Sequence, residues 1–110
     1  MKSIRQSKIE RLLQKELSEI FRSQKNLFLN NKIITVTNVK SPDKNLAKVY
    51  LSIYPSKNIS EDVDMISQQK KKIRFLLGKR IKSQLRQIPD LSFFVDDSID
   101  YLENIEKLLN

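Results

Sequence analysis

A chain of 110 residues, 39% apolar and 31% charged, carries 21 Lys and Arg against 13 Asp and Glu, a formal charge of +8. The length suits one domain with one modest core, and the positive excess favours a polyanionic partner. With no Cys, no His and a single glycine, Gly78, the chain has no disulfides, thiol nucleophile, imidazole base or glycine-rich phosphate loop.

Residues 3–24 read as an amphipathic helix. Ile9, Leu12, Leu13, Leu17, Ile20 and Phe21 form one apolar stripe, and Ser3 with Gln6 fits a capping box. Lys8, Arg11, Lys15 and Arg22 make a basic stripe on a neighbouring face. Residues 32–39 are rich in β-branched side chains, Ser41-Pro42-Asp43 has turn chemistry, and residues 47–54 alternate. Ala47, Val49, Leu51 and Ile53 point one way, and Lys48, Tyr50, Ser52 and Tyr54 the other, so an antiparallel hairpin with one face on a core is expected.

A helix is expected from Ser60, with Val63 and Ile66 on its apolar side. A second stripe runs through Ile73, Leu77, Ile81, Leu85 and Ile88 to Pro89. The polar residues 68–72 between the stripes suit a kink or a break. A short strand over residues 91–95 and a last helix capped at Asp97 or Ser98 complete the order α-β-β-α-α-β-α, an α+β domain over residues 1–110.

The charge is unevenly placed. Residues 65–89 hold eight basic residues and no acid, whereas residues 90–110 hold six acids and one Lys. On the extrapolated third helix Lys71, Arg74, Lys82 and Arg86 share a face centred on Gly78, flanked by Lys79 and Arg80. A mid-helix glycine there would let a phosphate backbone approach while cations hold it. Tyr50 and Tyr54 read first as cover for the sheet, and second as stacking platforms for bases. Asp90, Asp96, Asp97 and Asp100 read as turn and cap residues before a metal-dependent nuclease site. No metal or cofactor is expected. No apolar run approaches the roughly 20 residues of a membrane span, and residues 1–6 lack the apolar stretch of a signal peptide, which suits a cytosolic protein.

Ser41-Pro42-Asp43-Lys44-Asn45-Leu46-Ala47-Lys48-Val49-Tyr50-Leu51-Ser52 resembles the hairpin of the bacterial ribosome-binding factor A family. Ile88-Pro89-Asp90-Leu91-Ser92-Phe93-Phe94-Val95-Asp96-Asp97-Ser98 is similar to its second hallmark, and Ile73-Arg74 through Gly78-Lys79 fits its third helix. The resemblance spans the chain and implies a type-II KH-like fold: a three-stranded sheet with helices on one face and a helix–kink–helix replacing the Gly-x-x-Gly loop. It places the kink at Gln69-Lys70-Lys71, where this chain lacks the family's Ala-x-Gly.

The same resemblance implies a non-enzymatic factor that binds the free 30S subunit and 16S rRNA near its 5′ end, assisting late maturation and rRNA processing. The protein is expected to be monomeric when free, with no membrane or small-molecule partner. Lys70, Lys71, Lys72, Arg74, Gly78, Lys79, Arg80, Lys82 and Arg86 would form the RNA surface, with Lys8, Arg11, Lys15 and Arg22 as a second one. Reversing Arg74 and Lys82 to Glu is expected to abolish subunit binding with little change in stability. A KH-like RNA binder unrelated to ribosomes and an adaptor for acidic proteins are the other readings.

Overall fold

The computed structural model describes residues 3–24, 29 and 31–96. Helix α1 (Ile4–Ser23) opens with the expected capping box: the Gln6 amide donates to the Ser3 hydroxyl and the Ser3 amide to Gln6 Oε1. It buries Leu13, Leu17, Ile20 and Phe21, while Ile9 and Leu12 pack at the margin of the core.

Strands β1 (Ile33–Asp43) and β2 (Leu46–Tyr54) form the antiparallel hairpin, and β3 (Asp90–Val95) lies parallel to β2 in the order β1-β2-β3. The turn sits later than the Ser-Pro-Asp motif implies. β1 runs on to Asp43 because the Ser41 hydroxyl donates to the Asp43 and Leu46 carbonyls, and the register shifts between Lys40 and Asp43. Pro42, which cannot donate to a ladder, sits within that irregularity. Lys44-Asn45 makes the turn, held by the Asn45 amide on Asp43 Oδ1.

Every core-facing residue of β2 expected from alternation (Ala47, Val49, Leu51, Ile53) is buried. They join Leu91 and Phe93 of β3 and the buried residues of all three helices in one apolar cluster, with Phe21 edge-on to Phe93. Helices therefore cover one face of the sheet. β1 is an edge strand, and α1 shields its outer rim with three side chains spaced four apart. Gln6 donates to the Ser41 and Pro42 carbonyls, buried Glu10 accepts from the Ser41 amide at 2.6 Å, and Gln14 donates to the Val36 and Thr37 carbonyls. Those bonds occupy groups that an open edge would offer to another chain.

Helix α2 (Ile59–Ser67) starts before the expected Ser60, since the Asn58 side chain accepts the Glu61 amide and serves as N-cap. Helix α3 (Lys70–Ile81) follows after a true break. The Gln69 amide bonds the Ile66 carbonyl in a tightened last turn, and Gln69 itself lies at φ −101°, ψ 17°. A negative φ is open to any residue, so the chain turns here without glycine. The break lies at Gln68–Gln69, and Lys70 and Lys71 already belong to the first turn of α3.

The extrapolated third helix is too long. It ends at Ile81, and the Leu85 amide closes the last turn on the Ile81 carbonyl. Residues 85–89 then fold back irregularly, with Leu85 and Ile88 packed on the core from this loop. Pro89 disfavours helical backbone at Ile88, and the Ile88 and Pro89 carbonyls accept from Arg74 instead. The expected last helix, with Asp97 and Ser98, lies outside the described residues.

Candidate nucleic-acid interface

Ile73, Leu77 and Ile81 turn inward, so the opposite side of α3 is set by geometry: it presents Lys72, Phe75 and Lys79, flanked by Lys71 and Lys82. Phe75 is 62% exposed, and Lys79 Nζ lies 4.8 Å from its ring centroid. Among the described residues no carboxylate pairs with Lys71, Lys72, Lys79 or Lys82. The first turn of α3 holds Lys70, Lys71 and Lys72 and no acid, at the end where amide groups point outward and the helix dipole is positive. Its N-cap residue, Gln69, makes no side-chain capping bond. An anion would relieve both the charge repulsion and the unpaired amides.

Phe75 is not among the residues expected from the sequence to bind RNA. Its position points to such a role, because it falls off the Ile73–Leu77–Ile81 stripe and among lysines, where an apolar side chain has no core to enter.

Other expected contacts are committed elsewhere. Arg74 turns toward the returning loop, its Nε donating to the Pro89 carbonyl at 3.1 Å and an Nη to the Ile88 carbonyl at 2.9 Å. It is a clamp between α3 and the loop that leads into β3. Gly78 faces the same loop: a Cβ there would lie 3.6 Å from Ile88 Cγ1, an ordinary contact. A phosphate backbone reaching Gly78 would meet Ile88, which corrects the reading of this glycine as an open approach. Arg80 pairs with Glu16 of α1 at 2.6 Å, and Lys70 with Asp90 at 3.5 Å. Arg86 lies beyond the end of α3, so it does not share a helical face with Lys71 and Lys82.

On α1, Lys8, Arg11, Lys15 and Arg22 are all exposed along the ridge opposite the buried stripe. Arg22 bonds Glu19 at 2.6 Å, and this hydrogen bond holds the Glu19 carboxyl below its usual range. Because α1 and α3 pack side by side on one face of the sheet, joined by Glu16–Arg80, both basic ridges point away from it.

The opposite sheet face is less cationic. Tyr50 stacks on Phe94 at 5.5 Å between centroids, with Lys40 Nζ 5.7 Å from its ring, while Tyr54 stays exposed. Of the acidic residues, Asp90 begins β3 and the Asp96 amide donates to the Leu51 carbonyl. Asp97 and Asp100 lie outside the described residues. Among the described residues no three acidic side chains gather to hold a metal ion, and no helix is long and apolar enough to cross a membrane.

A family model described as ribosome-binding factor A matches residues 5–109. A ribosome-binding factor A from Cytophaga hutchinsonii is 38% identical over 111 aligned positions, spanning 100% of this chain and 84% of the relative. The crystal structure of the Thermus thermophilus ribosome-binding factor A superposes with a TM-score of 0.66 at 21% identity, over 82% of this chain and 94% of that one. Thermus thermophilus coordinates fitted into the cryo-EM map of a 30S complex give 0.64 at 21% identity, over 82% and 93%. The order α-β-β-α-α-β, the single-sided helix layer and the helix–break–helix agree with that fold, and the sequence match over nearly the whole length shows that the chain belongs to the ribosome-binding factor A family.

Proposed function

We propose that this protein is a ribosome assembly factor that binds the free 30S subunit through 16S rRNA near its 5′ end, assisting late maturation and rRNA processing in the cytoplasm without catalysis. The observation that carries the reading is the outward side of α3, where Lys71, Lys72, Lys79 and Lys82 surround exposed Phe75 without carboxylate partners among the described residues. A phosphate backbone runs along this ridge, with one phosphate at the lysine-rich start of α3, and Phe75 offers a face on which an unpaired base stacks. Lys8, Arg11 and Lys15 on the neighbouring ridge of α1 extend the field. Affinity comes mainly from released counterions, and selectivity from the folded shape of the RNA. A 30S complex of the Thermus thermophilus relative supports the choice of partner.

The test is co-sedimentation with purified 30S subunits across a salt series. Wild-type protein is expected to sediment at low salt and to dissociate steeply as salt rises. Each lost phosphate contact should reduce the log–log slope by about 0.7–0.9. The double variant Lys79→Glu/Lys82→Glu should bind at least tenfold more weakly with an unchanged melting temperature. Equal binding by the double variant refutes the assignment of α3. Chemical footprinting of bound subunits should protect nucleotides near the 16S 5′ end, and protection confined to other regions refutes that placement.

A further inference from the structure

The returning loop builds a cavity that the α3 ridge does not include. It has a volume of 270 Å³ and lies between the start of α1, the β1–β2 turn and residues 85–89. Arg5, Lys44 and Arg86 line it from three separate segments, all exposed, and among the described residues no acid is in its walls. None of these three cations has a carboxylate partner among the described residues. The remaining lining is largely apolar: Ile9 and Leu85 pack against the core, and Pro89 is buried.

The walls are braced before any ligand arrives. Gln6 ties α1 to β1 at Ser41 and Pro42. The Gln87 amide nitrogen donates to Asn45 Oδ1, and the Asp90 amide to the Asn45 carbonyl, which fastens the loop to the hairpin turn. Arg74 fastens the same loop to α3. Three like charges held around one braced cavity repel one another until an anion enters.

We propose that this cavity takes one unstacked nucleotide of an RNA strand. Its phosphate lies among Arg5, Lys44 and Arg86, and its base lies on Ile9, Leu85 and Pro89. Size and lining select this ligand. The cavity is larger than a bare phosphate requires and has an apolar side that a phosphate would not use, yet it is far too small for a duplex. The inference rests on the RNA-binding reading above and adds to it a preference for RNA with an extruded residue, which duplex geometry alone does not supply.

The experiment compares full-length protein on three short hairpin RNAs: fully paired, carrying one bulged nucleotide, and carrying an abasic residue at the bulge. Wild type is expected to bind the bulged hairpin roughly tenfold tighter than the paired one, and to lose most of that preference with the abasic residue. Arg5→Glu/Arg86→Glu should bring the ratio near unity while retaining weaker binding to the paired hairpin. Lys79→Glu/Lys82→Glu should weaken binding to all three and keep the ratio. Equal wild-type affinity for paired and bulged RNA, or a preference that survives Arg5→Glu/Arg86→Glu, overturns the cavity assignment alone. Wild type binding none of the three RNAs overturns both the cavity and the RNA-binding reading. The abasic comparison needs no protein variant, so the outcome does not depend on how well the double variant folds.

Discussion

Arg74 is the residue whose role the structure changes most, and replacing it by Met is the sharpest test. The substitution keeps much of the aliphatic stem and removes both donors to the Ile88 and Pro89 carbonyls. Hydrogen bonds from a charged donor contribute about 1.5–3 kcal/mol each. Arg74 is half-buried, so the lower end applies, and the pair together should contribute about 3 kcal/mol. For a domain of this size that predicts a fall in melting temperature of roughly 8–15 °C. The control is Lys79→Met, which removes a cation from the same helix but breaks only an exposed contact with Phe75. Thermal and urea unfolding followed by circular dichroism should show a large loss for Arg74→Met and a shift within about 0.5 kcal/mol for Lys79→Met. RNA affinity should rank the other way at temperatures where both are folded, with Lys79→Met also lowering the salt slope. If Arg74→Met melts with wild type, the clamp is not a stabilising element. The expectation that Arg74 can be reversed to Glu at little structural cost is corrected on the same ground, since a carboxylate would face two carbonyl oxygens.

Gly78→Ala should raise stability by about 0.5–1 kcal/mol, because the methyl meets Ile88 at an ordinary distance and glycine disfavours a helix interior. A lowered melting temperature, or a marked loss of RNA affinity, contradicts this. Asp62 gives a pH prediction. Burial would raise its carboxyl, but hydrogen bonds from Lys32 at 2.8 Å and the Ser56 hydroxyl at 2.6 Å outweigh this and hold it below the ordinary range. Its folded-state value therefore lies below the unfolded one, and its contribution is complete at neutral pH and fades as pH falls through and below about 4. Asp62→Asn should cost about 1–3 kcal/mol at pH 7 and progressively less in acid, measured by urea unfolding; a gap that is constant with pH refutes the argument.

Local periodicity in the chain is enough to place the cores of the described helices and strands and to name their inward faces. The capping box at Ser3 and Gln6, the alternation of β2 and the Ile73–Leu77–Ile81 stripe are each set by neighbours a few residues apart. The amino-acid order also concentrates the charge in residues 65–89 and sets an acidic end against it. What each cation does depends on contacts between distant segments. Periodicity names a helix face but not what packs against it, so Arg74 and Gly78 read as part of an open surface until Ile88 and Pro89 folded back across them. Arg80 reads the same way until Glu16 approaches from α1. The apolar pattern also continues past Ile81 into a loop, since Leu85 and Ile88 reach the core from irregular backbone at helix-like spacing. Arg5, Lys44 and Arg86 are far apart in the chain, and only the hydrogen bonds joining α1, the hairpin turn and the returning loop gather them around one cavity.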